Sequence, residues 1–173
     1  MNKIIMLIGA AASGKSTAAP KIAAENNAVI LSTDKIRAEL YGAEHIQGNW
    51  PDIEALLYKR IKNAIKADKN IILDSTHFRK EYRAKIIKNF SKYSNISAYY
   101  FNYPFSVIYK RNKERARVVP FNVLTAIYKE LKKAPPTLAE GFKSITNVCA
   151  NWISVYYSNT YKQKNVIIKS VTP

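Results

Sequence analysis

Residues Gly9-Ala10-Ala11-Ala12-Ser13-Gly14-Lys15-Ser16, followed by Thr17, fit the spacing G-x-x-x-x-G-K-[ST]. Two glycines let a backbone wrap closely around a phosphate, so that successive N–H groups point inward, and a helix opening at Gly14 would add its positive end. A lysine at position 15 reaches the β- and γ-phosphates of ATP, and the hydroxyl of Ser16 suits a Mg²⁺ ligand. Gly9, Ala12, Ser13, Gly14, Lys15, Ser16 and Thr17 are therefore the expected nucleotide-binding set.

Two further clusters could act beside it. Asp34 and Arg37 stand one helical turn apart after Ser32-Thr33. A carboxylate there can accept a hydroxyl proton during phosphoryl transfer. Sequence alone leaves open the plainer alternative that Asp34 caps a helix and Arg37 pairs with it. Asp74 closes an apolar run, and no glycine follows it as a GTPase switch would need. Guanine-specific N-K-x-D is absent too, the nearest segment being Ile65-Lys66-Ala67-Asp68, which reads as a helix end. The basic run Lys110, Arg111, Lys113, Arg115 and Arg117 is either a solvated helix face or a lid whose arginines close over the transferring phosphate.

The elements that must position these groups follow from hydrophobic periodicity. Apolar runs at Ile4 to Ile8, Ala28 to Leu31, Ile71 to Leu73 and Ile96 to Phe101 predict buried strands, with Val166 to Ile168 a weaker fifth. Between them, Ile53, Leu56, Leu57, Ile61 and Ile65, and again Tyr82, Ile86, Ile87 and Phe90, recur at helical spacing. Pro120 opens another helix through Leu131, which Pro135-Pro136 stops. Phe142, Ile145, Val148, Cys149 and Trp152 suggest a C-terminal helix. Pro20 sits awkwardly in the helix after the phosphate loop. Alternating strands and helices predict an α/β domain with a parallel sheet, and the carboxyl ends of its strands would bring Asp34, Asp74 and the loop into one crevice.

The 173 residues suit one domain, with 28 Lys and Arg against 12 Asp and Glu for a net charge of +16 and 47% apolar residues. That surplus on a folded body draws in polyanions and argues against a disordered basic tail. The lone Cys149 excludes an intrachain disulfide and reads as a packed thiol. No apolar run is long enough for a bilayer, and the N-terminal apolar stretch runs straight into the phosphate loop, so a cytoplasmic protein without a membrane partner is expected.

The chain resembles the P-loop 5′-hydroxyl polynucleotide kinases, in particular the kinase domain of the bacteriophage T4 type. The residues that carry the resemblance are the loop Gly9 to Thr17, Asp34-x-x-Arg37, Asp74-Ser75-Thr76, and the stretch from Tyr109 to Arg115 through Val119-Pro120-Phe121 to Tyr128-Lys129. It covers about residues 1 to 133. The resemblance implies a parallel five-stranded sheet flanked by helices, a helical lid near residues 110–119, and a C-terminal helix and strand over about 137–171, in a single kinase domain spanning 1–173. By it, Asp34 is the general base on the 5′-hydroxyl, Arg37 holds the adjacent acceptor phosphate, and Arg115, supported by Arg111, lies on the donor phosphates. Asp74 acts near the metal or acceptor. ATP and Mg²⁺ are the expected cofactors and DNA or RNA 5′ ends the expected partners. No phosphatase domain is expected beside the kinase, and a phage-encoded protein acting in the host cytoplasm fits the same family.

Two other readings stand beside this one: a kinase of the same fold acting on a metabolite, an antibiotic or an aminoacyl-tRNA, and a nucleic-acid-binding module that uses ATP without phosphotransfer. Trp50 or Tyr41 is the expected base-stacking aromatic. His45 and His77 are expected to be surface or loop residues without a catalytic part.

Overall fold

The computed structural model describes residues 1–149, 152–157 and 166–169, the last two segments as backbone. Among the described residues, seven strands form one sheet: β1 (Asn2–Ile8), β2 (Ala28–Ser32), β3 (Asn70–Asp74), β4 (Ser94–Phe101), β5 (Ser144–Cys149), β6 (Trp152–Tyr157) and β7 (Val166–Lys169), in the order β2-β3-β1-β4-β5-β6-β7. The first five positions are parallel throughout, as expected, and β6 and β7 extend the edge as antiparallel strands.

From Ile4 to Ile8 the central strand β1 is apolar without interruption because both its faces are covered there. Its even positions Ile4, Met6 and Ile8 join Ile71, Leu73 and Ile96 beneath α3 (Trp50–Lys66), α4 (Lys80–Phe90) and α6 (Phe121–Lys133). Its odd positions Ile5 and Leu7 meet Ala19, Ile22 and Ala23 of α1 (Lys15–Glu25) on the other face. The chain leaves β1 for β2, returns to β3, and crosses to β4 on the far side. The strand order therefore reverses at the carboxyl end of β1, where open α/β sheets bind ligands.

Pro20 does not end α1, which runs on through Glu25 with Pro20 exposed. Pro120 stands just before α6 as its N-cap rather than inside its first turn. The larger departure is C-terminal. The expected helix through Phe142, Ile145, Val148 and Cys149 is instead a short 3₁₀ turn (Leu138–Glu140) and then β5. Ile145 and Val148 pair in register with Ala98 and Phe101 of β4. β4 offered an unpaired edge, and the β-branched run Ile145-Thr146 with Val148 fits a pleated surface better than a helix. The expected strand near Val166 is present as β7 but lies outermost, so β5 is the fifth parallel strand. The remainder of the C-terminal expectation, including the side chain of Trp152, lies outside the described residues.

Among the described residues no helix is long and apolar enough to cross a membrane.

Candidate active site

The phosphate loop leaves β1 at Gly9, where close approach forbids a side chain: a Cβ would meet Ser13 Oγ at 2.7 Å and the Phe101 Cβ at 3.0 Å. It ends at Gly14, whose φ of +90° is left-handed and favours glycine. Lys15 opens α1 and is buried, with Nζ donating to Ala10 O at 2.8 Å and to Ser13 Oγ at 3.4 Å. Among the described residues no carboxylate pairs with it. Burial lowers its pKa to about 8, Asp74 and Asp34 pull the other way, and Arg115 adds to the depression. A buried ammonium turned in on its own loop's oxygens, within a backbone that excludes side chains, fits a phosphate chain. Ser16 and Thr17 occupy the exposed first turn beside it.

Asp74 ends β3 and lies in register with Leu7 of β1 and Ser32 of β2. Among the described residues no group of three or more His, Cys, Asp or Glu could hold a metal. Ser16 and Asp74 alone are a sparse oxygen set of the kind Mg²⁺ accepts when phosphates supply its other ligands.

The second cluster forms at the start of α2 (Thr33–Tyr41), where Ser32 Oγ accepts from the Lys35 N–H and so takes the capping role. That frees Asp34, whose Oδ1 lies 2.7 Å from Arg37 Nη1. Thr33 Oγ1 bonds Ser75 Oγ at 3.1 Å, tying α2 to the loop after β3. The same loop is fastened to the phosphate loop by the Gly9 N–H on Thr76 O at 3.0 Å and to β1 by His77. The imidazole is buried, and its Nδ1 stands 2.8 Å from Leu7 O, so Nδ1 carries the proton. Burial pushes its pKa down to about 4, and Lys15 and Arg83 add to the effect. His77 is thus a loop residue, as expected, but an interior one.

Beneath this loop, Arg83 of α4 is completely buried and forks onto Glu140, at 2.7 Å from Nε and 3.0 Å from Nη2. It also donates to the carbonyls of His77, Phe78 and Ala134. Sequence reading passed over Arg83, Glu140 and the Thr33–Ser75 pair. Residues 57 and 42 positions apart leave no local signal.

The basic run divides. Lys110, Arg111 and Lys113 belong to α5 (Phe105–Lys113), and residues 114–120 are a loop rather than a helical lid. The buried Asn112 closes that loop by bonding both backbone groups of Val119, at 2.8 and 3.1 Å. The Arg111 guanidinium lies 4.5 Å over the Tyr103 ring, and its Nη1 comes within 3.9 Å of where a Cβ on Gly14 would stand. Arg115 lies near enough to Lys15 to add to the lowering of its pKa.

A cavity of about 300 Å³ opens beside Arg37, walled by Thr33, Trp50, Thr76, His77 and Tyr82. Trp50 stacks on Tyr82 with ring centroids 5.1 Å apart. Tyr41 instead packs against Gly48 and bonds Asn49 and Asp52. Lys15, Asp34 and Asp74 thus stand at or just beyond the carboxyl ends of β1, β2 and β3, with Arg37 on Asp34 and Arg111 near Gly14.

No curated protein matches the chain in sequence. A chain of the Pnkp1/Rnl/Hen1 RNA repair complex shares its fold over 76% of this chain and 44% of its own, at 22% identity and a TM-score of 0.70. A second structure of that complex matches 69% of this chain and 40% of its own, at 24% identity and a TM-score of 0.59, so this chain spans less than half the length of either. A gluconokinase from Sinorhizobium meliloti 1021 is similar over 85% of this chain and 82% of its own, at 16% identity and a TM-score of 0.56. A sugar kinase from Janibacter sp. HTCC2649 matches over 87% and 85%, at 18% identity and a TM-score of 0.58. The family model described as AAA domain, AAA_33, matches residues 4–135. The chain belongs to that family, and its fold is that of the small P-loop kinases.

Proposed function

We propose that the domain transfers the terminal phosphate of ATP to the 5′-hydroxyl end of a nucleic acid. The observation that carries this reading is the facing of two clusters across one crevice: a phosphate loop with an unpaired buried Lys15, and Asp34 held by Arg37, close enough for Lys15 to feel Asp34 and Asp74. Asp34 takes the proton of the acceptor hydroxyl as its oxygen attacks the terminal phosphorus. The bond from that phosphorus to the bridging oxygen of ADP breaks, with Lys15 and Arg115 beside the departing charge. Ser16 and Asp74 would hold Mg²⁺, which when bound offsets phosphate charge. Arg37 and the net charge of +16 favour an acceptor that carries phosphate next to its hydroxyl.

A second reading, a small polyol or sugar-acid acceptor, is favoured by the size of the cavity, about 300 Å³, and by the likeness to two sugar kinases. The test is transfer of labelled γ-phosphate to matched DNA and RNA oligonucleotides ending in 5′-hydroxyl or 5′-phosphate. Label is expected on hydroxyl ends alone, and Asp34→Ala should lower kcat about a hundredfold or more with nucleotide affinity kept. Intact ATP binding with no labelled oligonucleotide, and label on gluconate instead, would establish the second reading.

A further inference from the structure

The lid segment carries three arginines between positions 111 and 117, and they face two different sites. Arg111 stands over Tyr103 near Gly14, on the phosphate-loop side, and Arg115 lies near enough to Lys15 to add to the lowering of its pKa. Arg117 turns the other way, with Nη1 at 3.7 Å from Asp34 Oδ2 and 4.0 Å from Glu44 Oε2. Since Arg37 holds Oδ1 at 2.7 Å, both oxygens of Asp34 face a guanidinium.

These two contacts differ in kind. The Arg37 side chain is 14% exposed, and the same Nη1 also reaches Thr33 Oγ1 at 3.5 Å. The Arg117 side chain is 38% exposed and its contacts are long, so they are weak and screened by solvent. A carboxylate that is to accept a proton needs an oxygen open to the acceptor hydroxyl. Only Arg117 can yield one cheaply, since it comes from a loop rather than from the helix of Asp34. A guanidinium leaving a carboxylate finds its best partner in a phosphate, which it matches in charge and in planar fork geometry.

Resting on the reading of Asp34 as base for a nucleic-acid hydroxyl, we propose that Arg117 is an acceptor-side latch. Without acceptor it rests on Asp34 and Glu44. With acceptor it moves to the phosphodiester nearest the reacting 5′-hydroxyl, shares that phosphate with Arg37, and leaves Asp34 Oδ2 open. The lid then serves both substrates, with Arg111 and Arg115 on the donor and Arg117 on the acceptor, and an acceptor without that phosphate does not draw the latch away.

The experiment compares wild type, Arg117→Ala and Arg117→Lys on a 5′-hydroxyl oligonucleotide and on its twin with a neutral methylphosphonate at the first linkage. Arg117→Ala should raise the acceptor KM about tenfold and leave the KM for ATP unchanged. Arg117→Lys should recover part of the loss, because it keeps the charge and loses the fork. Neutralising the linkage should raise the wild-type KM by a similar factor, and the two changes together should cost less than their product. An acceptor KM within twofold of wild type, a rise in the KM for ATP instead, or fully multiplicative effects would each overturn the proposal while leaving the kinase reading intact. Failure of the wild-type protein to label any 5′-hydroxyl end would overturn the parent reading, and this one with it.

Discussion

In the proposed kinase, the donor and acceptor halves of the crevice are built on opposite plans. The donor half comes from one continuous stretch, residues 9–17, and is mostly backbone. Its charge is unbalanced, because among the described residues the buried Lys15 has carbonyl and hydroxyl partners alone. The acceptor half is gathered from α2, α3, α4, the loop after β3 and the lid, and its charges are already paired, Asp34 with Arg37 and Arg117. A site that waits for an anion can be made locally and left unsatisfied. A site that must orient a hydroxyl has to be held from several directions at once.

The largest expected effect falls on the donor half. Lys15→Ala should abolish phosphate transfer while the acceptor oligonucleotide still binds, as read by filter binding or anisotropy; unchanged turnover would collapse the distinction between the halves.

Next comes the brace beneath the acceptor loop. Glu140→Ala leaves the Arg83 guanidinium buried without its carboxylate, and should cost about 3–5 kcal/mol in denaturant unfolding. A loss below about 1 kcal/mol would show that the acceptor loop stands without that brace.

His77 gives the same fastening a pH signature. In the folded chain it stays neutral down to about 4, against 6.5 for a free imidazole, so between those values the unfolded state binds more protons. Stability should therefore be fully present above pH 6.5 and fall as pH drops toward 4, by up to about 3 kcal/mol. His77→Asn keeps a donor for Leu7 O, and asparagine tolerates the φ of +44° there. That variant should lose the excess pH dependence between 6.5 and 4, and a dependence equal to wild type would clear His77 of responsibility.

The smallest effect sharpens the donor side again. The Lys15 pKa of about 8 should rise when phosphate reaches it, so ATP binding at pH 8.5 should take up on the order of half a proton, and little at pH 7. Calorimetry in buffers of different ionisation enthalpy reads this directly. An enthalpy independent of buffer at pH 8.5 would mean that Lys15 does not meet the phosphates.

How much was legible beforehand follows the same division. The phosphate loop was plain because its chemistry needs neighbours in sequence. Asp34 and Arg37 were visible as a helical pair, although the cap proved to be Ser32 rather than Asp34. Val148 and Ile145 were read with helical spacing, and the open edge of β4 drew them into β5 instead. His77 carried no mark of its burial, because the carbonyl that receives it is 70 residues away.

The sequence by itself determined the nucleotide loop, the alternation of strands and helices and the surplus of positive charge, since each is written in adjacent residues or in composition. The tertiary structure decided which way each lid arginine faces. Arg111, Arg115 and Arg117 are alike in type and near in sequence. Arg111, on α5, stands near Gly14, while the turn closed by Asn112 on Val119 leaves Arg117 toward Asp34, because direction in a loop is set by its fastenings rather than by the residues it contains.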